Sequence, residues 1–118
     1  MELKSLIRKN RSYRRFKQSE RIGMETLIEL VDLARLSASA RNLQSLKYIL
    51  SNEEELNAQI FECLAWAGYL ADWDGPVEGE RPAAYVVMLN DKHISLNHFC
   101  DEGIAAQSIL LGTVELGL

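Results

Sequence analysis

Cysteine is scarce: only Cys63 and Cys100 occur in 118 residues, and they lie far apart. No Cys-x-x-Cys pair or His/Cys cluster exists, so neither a zinc site nor a redox dithiol is suggested. Both stand in apolar contexts, which predicts two reduced and mostly buried thiols. Long apolar runs are missing too. None approaches the ~20 residues that a helix needs to cross a bilayer. No apolar core follows Met1-Glu2-Leu3-Lys4, as it would in a signal peptide, so the expected location is the cytoplasm. Internal repeats and low-complexity tracts are also lacking.

What is present is an ordinary globular composition, 47% hydrophobic and 25% charged, of a length that suits one domain over residues 1–118. The net charge of −4 conceals an asymmetry. Residues 1–17 carry Lys4, Arg8, Lys9, Arg11, Arg14, Arg15 and Lys17 against Glu2 alone, a local +6 that leaves −10 for the remainder. The summed field of such a chain repels a polyanion, so a nucleic-acid surface is disfavoured. The basic segment suits a small anion better.

Leu3, Leu6 and Ile7 have the spacing of a short amphipathic helix ending near Asn10. Arg11–Gln18 is polar without helical period and reads as extended or looped. Glu25–Leu36 places Leu27, Leu30, Val31 and Ala34 on one face of a second helix. The small residues Ser37-Ala38-Ser39-Ala40 end it. Leu46–Leu50 reads as a strand. Ser51 or Asn52 is expected to cap a third helix that starts on Glu53, Glu54 and Glu55 and buries Leu56, Ile60, Phe61 and Leu64. Asp72–Pro82 is a solvated loop. Ala84–Leu89 is nearly all apolar and predicts a strand buried on both faces. A long helix over Asp101–Leu116 stops at Gly117, a glycine cap. Two strands make a marginal sheet, so the expectation is that the domain continues beyond this sequence or that another chain completes it.

Two segments could carry chemistry. Arg11-Ser12-Tyr13-Arg14-Arg15-Phe16 offers planar guanidinium forks and a hydroxyl, the donors that a phosphate monoester accepts. Read from the residues alone it stays open between an anion site and a solvated basic turn. Ser37–Gln44 combines small side chains with Asn42 and Gln44, which fits the polar edge of a flat heteroaromatic ring. Here a plain helix-to-strand connection is the alternative. Trp66, Tyr69 and Trp73 read as an aromatic stripe of the core, His93 and His98 as turn residues, and Glu53–Glu55 as a helix start.

In this order and spacing the segments resemble the nitroreductase family. Its opening pattern, a helix followed by Arg-Arg-Ser-x-Arg/Lys-x-Phe, is similar to Asn10-Arg11-Ser12-Tyr13-Arg14-Arg15-Phe16. Its small-residue turn with Asn-x-Gln resembles Ser37–Gln44 before Leu46-Lys47-Tyr48-Ile49. Its long central helix resembles Asp101-x-Gly103-x-Ala105-x-Gln107 through Leu118. The resemblance implies an α+β fold, a central and mainly antiparallel sheet packed by helices, with this chain as an incomplete N-terminal part. It implies an FMN-dependent oxidoreductase that takes a hydride from NAD(P)H and passes it to nitroaromatic or quinone-like acceptors by a ping-pong mechanism. It implies that Arg11, Ser12 and Arg14 contact the FMN phosphate and ribityl oxygens. Ala38, Ser39, Ala40, Asn42 and Gln44 would reach the flavin from the partner subunit of a homodimer, and Trp66–Leu70 would border the ring. No side chain need act as acid or base, because the cofactor carries the chemistry; no metal and no nucleic acid or membrane partner is implied.

Two positions depart from the pattern. Asn10 stands where a basic or imidazole side chain is common, which weakens one phosphate contact. Ser45-Leu46 replaces the usual proline–aromatic pair. Family members also continue through a glycine-rich flavin-binding loop, a further strand and another basic phosphate ligand. The alternative function is therefore a non-enzymatic flavin-binding or dimerisation module.

Overall fold

A computed structural model describes the whole chain, Met1–Leu118. Its elements are α1 (Leu3–Lys9), α2 (Met24–Leu36), β1 (Leu46–Ser51), α3 (Glu54–Glu62), β2 (Tyr85–Asn90) and α4 (Phe99–Leu116), with a 3-10 turn at Ala40–Asn42. The strands form an antiparallel pair in which Tyr48 faces Met88 and Leu50 faces Val86. Alternation along a strand puts Leu46, Tyr48, Val86 and Met88 on one face. That face packs on Leu30, Ala34, Ala105 and Ile109, the core contributed by α2 and α4. The architecture is α+β, two helices over a small antiparallel sheet.

The two helices approach closely at Gly112. A Cβ built there would stand 2.9 Å from Leu30 Cδ2 and would also collide with Leu33 Cδ1. Leu30 is 2% exposed and has no room to withdraw. Gly112→Val is therefore expected to destabilise the protein by about 2–3 kcal/mol through overpacking. Urea unfolding checks it, and an unchanged midpoint would contradict this packing.

Several sequence expectations need correction. β2 is not buried on both faces: Ile49 and Leu89, on the face away from the helices, are each 46% exposed, because this chain supplies a covering layer to one side only. Cys63 and Cys100 are exposed rather than buried. The third helix begins at Glu54, behind Glu53, with no side-chain cap. Ser51 ends the strand instead, donating its hydroxyl to Asn57 Oδ1 at 2.7 Å, and Asn52 donates to the Ile22 carbonyl at 2.9 Å. No residue of α3 is fully buried, and Leu64 lies beyond its end, exposed. Trp66, Tyr69 and Trp73 are not a helical stripe, since the chain after α3 runs through turns; Trp66 packs inward while Tyr69 faces solvent.

The molecule is more open than a finished domain. Its radius of gyration is 15.1 Å, against about 13.5 Å for a compact chain of this length. It exposes 8555 Å², where a folded monomer of 13.4 kDa exposes about 6,500 Å². The excess, roughly 2,000 Å² on this one chain, is more than twice the ~800 Å² that each partner of a standard interface buries and falls in the range of large obligate interfaces.

Candidate functional site

The basic segment after α1 has no secondary structure of its own, yet its far end is tied to the loop before β2. Phe16 donates its N–H to the Glu80 carbonyl at 2.8 Å. The Gln18 side chain accepts from the Gly79 N–H at 2.6 Å and donates to Glu78 at 2.8 Å. Arg15 grips Glu80 through two bonds, Nε to Oε2 at 2.9 Å and Nη2 to Oε1. Backbone and side chains thus fasten residues 15–18 to the loop before β2, and the alternation of an extended chain turns Arg14 away from Arg15. The Arg14 guanidinium donates to the Ser12 carbonyl at 3.3 Å and to the Tyr69 hydroxyl. Arg11 is exposed and forms no ion pair. Arg11 and Arg14 are thus cations without carboxylate partners, just ahead of the fastened residues 15–18.

The hydrogen bonds from Arg15 hold the Glu80 carboxyl below the ordinary carboxylate range. A depressed folded-state value means that the pair's contribution is present above the ordinary value of about 4.3 and is lost as pH falls through the lower, folded one. Arg15→Ala is expected to return the Glu80 titration upward to the ordinary range. Carboxyl-carbon NMR reads it, and an unmoved titration would remove Arg15 as the cause.

The second segment forms a corner between α2 and β1. Ser37 donates to the Leu33 carbonyl at 2.8 Å and lies 2.5 Å from the Ser108 hydroxyl, joining the end of α2 to α4. Asp101 in the first turn of α4 is 4% exposed, and its Oδ1 accepts the Ala40 N–H at 2.9 Å. Ser39 Oγ accepts the Gln44 N–H at 3.1 Å, and Gln44 Nε2 donates to Asn42 Oδ1 at 2.9 Å. Within this frame Arg41, Asn42 and Gln44 take φ of 54°, 54° and 51°. Left-handed backbone costs an L-residue roughly 1–2 kcal/mol, least for Asn. Such conformations persist where surrounding bonds over-determine them, and they concentrate at ligand sites.

Beneath the corner lies a cavity of about 150 Å³, bordered by Ser37, Ala38, Ser39, Gln44, Tyr48 and Asp101 among others. Burial raises the Tyr48 pKa above its ordinary value of 10.0, so its phenol is neutral at physiological pH. Arg11, Ser12 and Arg14 do not border this cavity, and none of their side chains bonds to residues 38–44. The basic segment and the small-residue corner are thus separate in this chain. Sequence reasoning did not single out Asp101 as a site residue, although an acid in the first turn of a helix was a visible signal. Nothing local marked Tyr69 as the partner of Arg14.

An α+β domain with a basic extended segment after its first helix and a small-residue corner ahead of its first strand is what the fold and the site define. Residues 7–118 match the Nitroreductase family model, and the chain belongs to the nitroreductase family. None of the curated proteins matches the sequence. Solved structures do. An FMN-dependent nitroreductase from Clostridium difficile superimposes with a TM-score of 0.77 at 23% identity, covering 98% of this chain and 62% of that one. A nitroreductase with bound FMN from Desulfitobacterium hafniense gives 0.72 at 25% identity, covering 96% and 64%. A Parabacteroides distasonis protein named for NADH dehydrogenase or NAD(P)H nitroreductase activity gives 0.73 at 21% identity, covering 96% and 62%. The chain thus spans less than two thirds of the length of these relatives.

Proposed function

We infer that this chain supplies half of each FMN site in a homodimeric oxidoreductase, which passes a hydride from NAD(P)H to nitroaromatic or quinone-like acceptors by a ping-pong mechanism. The observation that carries the reading is the basic segment: Arg11 and Arg14 stand free of carboxylates, just ahead of backbone pinned at Phe16 and Gln18 to the loop of Gly79 and Glu80. A phosphate monoester is the anion that such a fork matches. FMN-bound relatives of the same fold support that choice.

The residues present fit FMN, though only in part. Arg11, Ser12 and Arg14 would hold its phosphate and ribityl oxygens. Ala38, Ser39, Ala40, Asn42 and Gln44 would lie against the ring, since their side chains are small or already tied to one another and let backbone approach a flat surface. The cavity of about 150 Å³ is well below the ~300 Å³ at which small-molecule sites begin. It needs a second wall. The roughly 2,000 Å² of excess surface and the separation of the two half-sites support a partner subunit as that wall. When bound, FMN supplies the hydride chemistry, and the side chains supply grip, orientation and exclusion of water. Two exposed, unpaired cysteines suit a reducing compartment, in keeping with a cytoplasmic location.

The test is steady-state oxidation of NADH and of NADPH by FMN-loaded protein, with a nitroaromatic or a quinone as acceptor. Parallel double-reciprocal lines are expected, the signature of a ping-pong cycle. Bound flavin without turnover of either nucleotide would leave only the non-enzymatic binding module, which the partial length of the chain relative to its relatives would then explain.

A further inference from the structure

The loop between α3 and β2 carries a largely exposed aromatic residue, Tyr69. Trp66 anchors this loop: its ring lies edge-on to Phe16 with centroids 6.2 Å apart and tilted against Phe61 at 5.9 Å. Gly75, at φ 104°, lies so close that a Cβ there would stand 2.9 Å from Trp66 Cδ1. Phe16 sits two residues from Arg14, so the same indole locks the loop to the basic segment. Ala67, at φ 37°, then turns the chain outward, and the Leu70 N–H closes the turn on the Ala67 carbonyl at 2.7 Å. Tyr69 emerges at its tip, 73% exposed. So exposed a ring gains little from burial. Instead it stands beside Arg14, whose guanidinium carbon is 5.2 Å from the ring centroid and whose Nη2 donates to the phenol oxygen.

Resting on the FMN reading above, we propose that Tyr69 is a further phosphate-binding residue, forming with Arg14 a composite site for the anionic end of the flavin nucleotide. The chemistry follows from who donates. The phenol oxygen accepts from Arg14, which leaves its own O–H free to donate onward, beside the remaining donors of the guanidinium fork. Cation–π contact with the ring restricts the fork to one plane, lowering the entropy lost when it engages a phosphate. The Trp66 anchor fixes the distance between the loop and residues 12–16, so the two donors converge on one point rather than on two.

The experiment compares Tyr69→Phe, Tyr69→Leu and Arg14→Ala in the purified protein, titrating FMN and riboflavin by flavin fluorescence and recording the phosphorus NMR resonance of bound FMN. Tyr69→Phe keeps the ring and removes only the hydroxyl. It is expected to raise the Kd for FMN about tenfold, equivalent to ~1.4 kcal/mol, to leave riboflavin unchanged, and to move the phosphorus resonance. Tyr69→Leu is expected to weaken FMN further, because the stacking is lost as well. An equal loss for FMN and riboflavin, or an unmoved phosphorus resonance, would overturn the assignment. If Arg14→Ala weakens FMN and Tyr69→Phe does not, the role of Tyr69 fails while the cofactor reading stands. If neither substitution changes FMN binding, both fail.

Discussion

Arg14→Ala is expected to weaken FMN binding about a hundredfold. The substitution removes a charge-assisted fork from a phosphate, and one such hydrogen bond contributes ~1.5–3 kcal/mol. A bidentate grip of about 3 kcal/mol corresponds to two decades in Kd. The fold should not notice. Arg14 has no carboxylate partner, and its bonds go to the Ser12 carbonyl and the Tyr69 hydroxyl, neither of them in a helix or strand. The variant should therefore purify with an unchanged urea midpoint and without its yellow colour. Arg14→Lys should recover only part of the affinity, because an ammonium group cannot reproduce the planar fork. Retention of a full complement of flavin by Arg14→Ala would contradict the role given to this residue.

Asp101→Ala is expected to have the second largest effect, and on both stability and flavin. Asp101 is 4% exposed and is the acceptor for the Ala40 N–H. Its loss strands that donor away from water, a cost of roughly 1–3 kcal/mol. It also removes an acid from the first turn of α4, where the helix dipole favours negative charge by about 0.3–1 kcal/mol. A total near 3 kcal/mol is expected in urea unfolding. The consequence for the site is more specific. Arg41, Asn42 and Gln44 remain in left-handed backbone because bonds on either side hold them there, and Asp101 is one of those bonds. With it gone the corner should relax and bind flavin more weakly, whereas Asp101→Asn, which keeps an acceptor oxygen, should retain most of both properties. Equal urea midpoints for Asp101→Ala and the parent would mean that the Ala40 N–H is satisfied without this side chain.

Helix α2 was legible because its apolar positions repeat at the helical period, whereas α4 and the strands were legible as apolar-rich stretches bounded by polar residues and glycine. Leu27, Leu30 and Ala34 fall on one face of α2, and the structure buries all three. Gly112 of α4 lies against Leu30 and Leu33 of α2, which brings the two helices close together. The expectation that Ala84–Leu89 is buried on both faces failed for a physical reason. Its apolar character belongs to a strand with two covering layers, but this chain provides α2 and α4 to one face alone. The cysteines erred in the same direction, since an apolar neighbourhood in sequence does not create a layer in space.

The candidate segments were legible in their residue types and not in their bonding. Arginines, a serine and a small-residue turn could be read directly. The ion pair of Arg15 with Glu80 and the stacking of Tyr69 on Arg14 join residues more than fifty positions apart, and no periodicity encodes them. Nor did any glycine announce the left-handed backbone at Arg41, Asn42 and Gln44. That conformation is imposed from outside by Ser39 and Asp101.

The most direct measurement is a crystal structure of the protein with FMN bound. The phosphate should lie within hydrogen-bond distance of the Arg11 and Arg14 guanidinium groups of one copy, with the flavin ring against residues 38–44 of the other. An FMN whose phosphate rests away from both arginines, or whose ring touches no residue of either corner, would contradict the central claim.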